Sequence, residues 1–442
     1  MVVPRKHLAR AVRSFVGCMD VSAAEAQYSS LGRHGYHPRQ LLGVWVYASL
    51  VGMHHSTRVA RACRTDAAFW LLCGGHAPSG ATLRRFRQRN RVLFEEAMVQ
   101  TVREAHALGL LDTSDLAVDS VRVRAHASTK AVRTVVRSRK RLAELSVVDV
   151  SGLSAEARGR HEEKVVRHQA AVAECEARGR SNLVLTNPSA ALMKFPYGAS
   201  APGHRVTVTA AGKSLRLVVG VLVDSDGNDY GKLEPAVRHA QGILGRAGVG
   251  GAGKLGVAAD AGFLSEADLS FATGNEAWVD VFLPEPEPGD ASPGKYFGRG
   301  RFRIDADQRA FCPAGKPMKG PCTDTHVGRL KWVGVGCGEC PLKRQCTPGR
   351  ERALTADLEL ERLRQRMRER MAQPGARERY NRRIATVEPV FAYIEDVMLF
   401  RRASSRHAET IVAEVLLKLL AHNIARLIAR RPSLCIWIQI RF

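Results

Sequence analysis

The stretch LAVDSVRVRAHA, Leu116–Ala127, decides the fold. Val118, Val121 and Val123 favour a strand, and Arg122 and Arg124 alternate with the valines at period two. One carboxylate, Asp119, stands inside this β-prone run. Burying an unpaired charge is expensive, so Asp119 caps a turn, pairs with a neighbouring arginine or helps to hold a cation. The stretch alone leaves all three readings open.

Downstream, HRVTVTAAGKSLRLVVGVLVDSDGND carries alternating apolar residues on either side of an Ala211-Gly212-Lys213 turn, a hairpin signature. Asp224, Asp226, Asn228 and Asp229 lack the twelfth-position glutamate of a calcium loop and read as a turn. A helix is expected from Lys232 to Arg246. In KLGVAADAGF, Val257 and the alanines lead a strand into Asp260, with Gly262 close behind. That puts a second carboxylate at a strand's C-terminal end, where open α/β sheets place their ligands. SEADLSFAT then reads as a helix and AWVDVFLP as a strand, which makes the class α/β; PEPEPGDASPG is a linker.

Residues 1–112 read as helical throughout. RVARACRTDAAFWLL and ATLRRFRQRNRVLFEEAMVQTVREAHALG each keep apolar residues at helical spacing, and Arg84, Arg85 and Arg87 load the other faces of the second. A short helix, a Gly-containing turn and an arginine-rich helix have the layout of a DNA-reading helix pair; a solvated basic face is the plainer alternative. Residues 128–182 form a charged helical insert. A last helix carries Leu416, Leu419, Leu420, Ile424 and Leu427, and the tail 432–442 has no assignment.

Lys and Arg number 67 against 43 Asp and Glu, a net charge of +24 in 442 residues. An excess of that size points to a polyanionic partner such as nucleic acid. No run of 18 apolar residues and no signal-peptide pattern occurs, so a cytoplasmic location is expected, with no membrane partner. The ten cysteines then read as thiols or ligands rather than as disulfides. Five fall within Cys312–Cys346, inside an insert spanning 295–383. Among them Cys312, Cys337, Cys340 and Cys346 have spacings that suit structural Zn²⁺, against free or redox thiols.

A third carboxylate, Glu388, opens a helix whose apolar side carries Phe391, Ile394, Val397 and Met398. Asp119, Asp260 and Glu388 each lie in apolar surroundings, and such a trio suits phosphoryl transfer with two divalent ions. Hard oxygen ligands select Mg²⁺ or Mn²⁺.

Several motifs together resemble the bacterial insertion-sequence transposases of the DDE type. They are GYHPRQLLGVWVYASLVGMHHSTRVARAC with ATLRRFR, VDSVRVRAHAS, NPSAALMKFPYG, ADAGF, FCPAGKPMKG leading to CGECPLKRQC, and VEPVFAYIEDVMLFRRASSRH. The resemblance covers most of residues 20–430. It implies a ribonuclease-H-like mixed sheet with flanking helices over 113–431, preceded by the helical DNA-binding domain and interrupted by the two inserts. It implies that Asp119, Asp260 and Glu388 are the metal-binding catalytic triad, and that Tyr380 and Arg383 help to position DNA. Arg122, Arg124, Arg401 and Arg402 become candidates for the phosphate backbone. The implied activity is metal-dependent cleavage and strand transfer, with terminal inverted repeats and target DNA as partners, a homodimer on DNA and a place at the nucleoid. Two departures bear on activity. Glu395 stands where these transposases usually have lysine, and Ser120 where glycine usually follows the first aspartate. They favour the alternative of a decayed or co-opted copy that binds DNA without cutting.

Overall fold

The structure is a computed structural model that describes residues 3–27, 35–195, 198, 200–212, 214–250, 253–285, 296–305, 307–324 and 329–430. Most of the expected linker and all of the 432–442 tail lie outside them. The chain forms two compact units: Met1–Asp229, Pro235–Ala252 and Arg383–Phe442 make the first, and Tyr230–Glu234 with Gly253–Arg382 the second.

In the first unit the Asp119 strand, Leu116–Arg124, runs antiparallel to Ser200–Ala211, with Asp119 opposite Val208. The other edge of Ser200–Ala211 takes Leu217–Asp224 and, at its start, Ala191–Lys194. The hairpin read from the alternating pattern is therefore present, and Asp224 accepts from the Asp226 amide at 2.7 Å in a turn. Gly220 is required by close approach. A Cβ there would stand 3.0 Å from Thr209 and from Ala240 of the helix above.

The long helix Ala408–Arg430 is buried along most of its length. It packs on helices Pro38–Leu50 and Arg91–Ala107 and on strand Leu217–Asp224. Asn423 locks three of these elements together. Its amide donates to Val218 O at 2.8 Å and Thr101 Oγ1 at 3.1 Å, and its oxygen accepts from Val218 N at 2.8 Å. The N-terminal helices and the sheet thus share one core through this helix, and the compact units do not divide at residue 112.

Two stretches read as single helices are broken. Asp66 ends Ser56–Thr65 and caps Ala67–Leu72, accepting from Ala68 N at 2.7 Å and Phe69 N at 3.2 Å. Asn90 separates Gly80–Arg89 from Arg91–Ala107. Asp66 accepts from amides of the next helix, whereas the Asn90 side chain donates to Phe86 O at 2.8 Å; short polar side chains that bond the backbone end helices whose apolar spacing would otherwise continue. The charged insert forms the helix pair Val135–Ser146 and Ala155–Ala177, laced by surface ion pairs such as Arg139–Glu176 at 2.7 Å.

In the second unit Leu255–Ala259 and Val279–Phe282 pair in parallel, joined through helix Glu266–Gly274. The cysteine-rich insert has its own small core of Phe297, Phe302, Met318, Trp332 and Leu354. Its three-stranded sheet is built from Lys319–Asp324, Arg329–Val333 and Ala353–Ala356. Strand pairing of both senses with flanking helices is the mixed α/β class expected, consistent with a ribonuclease-H-like arrangement. No helix among the described residues is long and apolar enough to cross a membrane.

Two buried histidines and a partly buried one make the fold sensitive to acid. Burial pushes His54, His204 and His422 each down to about 4 from the ordinary 6.5. His422 Nε2–H donates to Arg216 O at 2.9 Å in the neutral ring. Between pH 6.5 and 4 the unfolded chain binds protons that the folded chain does not, so stability falls as pH falls through that window. Thermal melts from pH 7 to pH 4 should show Tm dropping progressively; a flat Tm contradicts the assignment.

Candidate functional site

Asp119 is partly exposed, and its carboxylate is already held. Oδ1 accepts from the Ser120 amide at 2.7 Å and Oδ2 from Arg383 NH1 at 2.6 Å. Arg383 is 8% exposed. Of the three readings open for Asp119, an ion pair is present, with an arginine 264 residues away rather than the neighbouring Arg122 or Arg124. The Ser120 hydroxyl sits 2.9 Å from Thr207 Oγ1 across the sheet.

Arg383 lies on helix Ala376–Ala392, which also carries Glu388. Glu388 is exposed, and five residues of α-helix turn it roughly 140° around the axis from Arg383. The ion pair brings this helix to the Asp119 strand. Pro389 follows, and the helix relaxes into a π-turn at Tyr393–Val397 that contains Glu395. Burial pushes the Glu395 carboxyl above the usual range, against the pull of Arg401.

In the second unit, Asp260 ends the Leu255–Ala259 strand and caps the short turn Ala261–Phe263, accepting from Gly262 N at 2.6 Å. Tyr380 is half-buried against Ala258, Phe282, Met371 and Ala376. Cys312, Cys337, Cys340 and Cys346 line a single cavity, while Cys322 stands exposed elsewhere.

The donor chemistry suits the two metals expected, carboxylates for a hard divalent ion and thiols for zinc. Among the described residues, however, no group of three or more His, Cys, Asp or Glu side chains is gathered into a metal-holding set.

Arg84 and Arg85 are exposed on helix Gly80–Arg89, but Arg87 turns inward and is 5% exposed. It donates to His54 O at 3.1 Å and Ser404 Oγ at 2.9 Å, pairs with Glu414 at 3.5 Å and lies over the Trp45 ring. Expected as a DNA contact, Arg87 instead neutralises a carboxylate inside the protein. Glu414 and Lys418 went unrecognised in the sequence, although a Glu-x3-Lys-x3-His spacing in an otherwise apolar helix marks one inward-facing polar stripe.

Arg122 donates to Lys194 O at 2.8 Å, and Arg401 pairs with Asp396 at 2.6 Å. Arg124 and Arg402 meet in a parallel backbone bridge.

Residues 311–428 match the family model of a transposase DDE domain, and residues 1–89 match the model of a transposase domain (DUF772). The first match includes Tyr380, Arg383 and Glu388; Asp119 and Asp260 lie outside both. No curated protein matches the chain.

Proposed function

Because the chain belongs to the insertion-sequence DDE transposases, we propose that it binds the ends of its element and cuts and joins DNA strands with a divalent ion. The observation that carries this reading is the DDE-domain match over a stretch that includes Glu388 and Arg383, the latter paired to Asp119. Asp119, Asp260 and Glu388 are the residues that would hold Mg²⁺ or Mn²⁺. When bound, the ion would polarise the scissile phosphodiester and stabilise the departing oxygen.

The protein's own contribution is positioning. Arg383 pairs with Asp119 and, with Tyr380, would help to position DNA beside it. Arg84, Arg85, Arg122, Arg124 and Arg402 supply further positive charge to that backbone, in keeping with the net +24. Water or a 3′-hydroxyl is the nucleophile, so no covalent protein–DNA intermediate forms. Pairing two element ends calls for a homodimer on DNA.

A binding-only reading is favoured by Glu395 in place of lysine. The experiment that separates the two incubates the full chain with duplexes carrying the inverted repeats that flank its gene, in Mg²⁺ and in EDTA. Cleavage in Mg²⁺ alone supports the enzyme; salt-sensitive binding without cleavage supports the binding-only form.

We further propose that Zn²⁺ draws together the four thiols around the insert cavity. Elemental analysis of the purified chain should give about one zinc per chain, reduced by Cys340→Ser. Full reaction of these thiols with a disulfide reagent, with no zinc present, overturns this.

A further inference from the structure

The strand that carries Asp119 ends at Arg124, where the chain returns from residue 400 to meet it. Arg124 N donates to Arg401 O at 3.1 Å and Ala403 N donates to Arg124 O at 2.8 Å. This fixes Arg402 at the strand end, where its Nε and NH2 donate to Ala125 O at 3.2 Å and Ala127 O at 3.3 Å. Arg124 lies 5.6 Å from the Phe195 ring centroid, a cation–π contact that holds its guanidinium in place. These two arginines, with Arg406, His126, Ser128 and Thr129, line an open cleft to which no carboxylate contributes among the described residues.

Several surface arginines elsewhere in the same unit are paired: Arg139 with Glu176, Arg141 with Glu144, Arg160 with Glu156 and Arg178 with Glu174. Among the described residues, Arg124, Arg402 and Arg406 have no carboxylate partner. Three like charges held together in one concavity repel, and an anion relieves that repulsion. The Arg124 guanidinium, held over Phe195, suits the oxygens of a phosphate together with the remaining donors of Arg402 and Arg406 and the neighbouring hydroxyls.

We propose that this cleft is a cradle for one phosphate of the DNA backbone. The assignment rests on the transposase reading above.

The test is anisotropy titration of the full chain with an element-end duplex across a salt series. Arg124→Ala/Arg406→Ala should weaken binding at least about tenfold and lower the slope of log K against log salt by about 2. Arg124→Lys/Arg406→Lys should keep most of that slope, and Arg139→Ala/Arg160→Ala should change nothing. Neutral methylphosphonates walked singly along the element-end duplex should weaken wild-type binding at one position and leave the double alanine variant unaffected there. This arm probes the contact from the DNA side, independently of how the variant folds. An unchanged slope in the double alanine variant, or an equal methylphosphonate effect in both proteins, overturns the cradle. Loss of slope on duplex RNA but not on DNA overturns the DNA assignment. Absence of salt-sensitive DNA binding by the wild-type chain overturns the transposase reading itself, a separable result.

Discussion

Asp260→Asn should lower Mg²⁺-dependent cleavage of element-end DNA by about 10³-fold or more, equivalent to about 4 kcal/mol of barrier, while end binding stays within about twofold. The substitution is clean because the local role of Asp260 survives it. The side chain accepts one backbone hydrogen bond, from Gly262 N at 2.6 Å, and caps a single turn. Asparagine caps as well as aspartate and keeps an oxygen acceptor in the same place. What disappears is the negative charge that a hard divalent ion requires. The readout is gel-resolved cleavage beside anisotropy binding on the same preparation, and retained cleavage removes Asp260 from the catalytic set. Asp119→Asn is a poorer probe. It also strips the partner from a nearly buried arginine, so lost activity would be mixed with lost stability.

Glu414→Ala should destabilise the first unit by about 3–5 kcal/mol, the range for removing one partner from a buried charge pair. Glu414 is fully buried. It accepts from Ser404 N at 3.1 Å and Oγ at 2.7 Å, from Ser405 N at 3.1 Å, and pairs with Arg87 at 3.5 Å. Burial alone would push its carboxyl up, but Arg87, Lys418 and the Ser404 bonds hold it below the usual range. Without it, Arg87 loses its counter-charge and the serine donors lose their acceptor. Lys418, pushed by burial to about 7, keeps only its 3.0 Å bond to Ser49 Oγ and the Phe400 face. Urea midpoints measure the loss. Glu414→Gln/Lys418→Met should be less destabilised than the sum of its single variants, because the two groups share one network. Strict additivity, or a single-variant loss below about 1 kcal/mol, contradicts the network.

How far the sequence could be read depended on the range of the interaction. Valines at period two around Asp119, the Ala-Gly turn of the hairpin and the alanine run into Asp260 are local patterns, and each strand lies where its pattern placed it. Asp66 and Asn90 are not legible as helix breaks because apolar spacing continues through both, and only backbone bonding shows the interruption.

The sequence by itself determined the central strands and most of the helical stretches, the basic charge that calls for a polyanion, the clustering of cysteines and the motifs that carry the transposase resemblance. Composition and short-range periodicity carry all of these. The tertiary structure alone decided which arginines face water. Arg84, Arg85 and Arg87 look alike in sequence, yet Arg87 is drawn inward by a carboxylate 327 residues away. It likewise decided that Asp119 is paired by Arg383, that Arg124 meets Arg402, and that the N-terminal helices share a core with the sheet. Charge pairing and packing act through space, and residues far apart in the chain carry no local mark of the partner that folding brings to them.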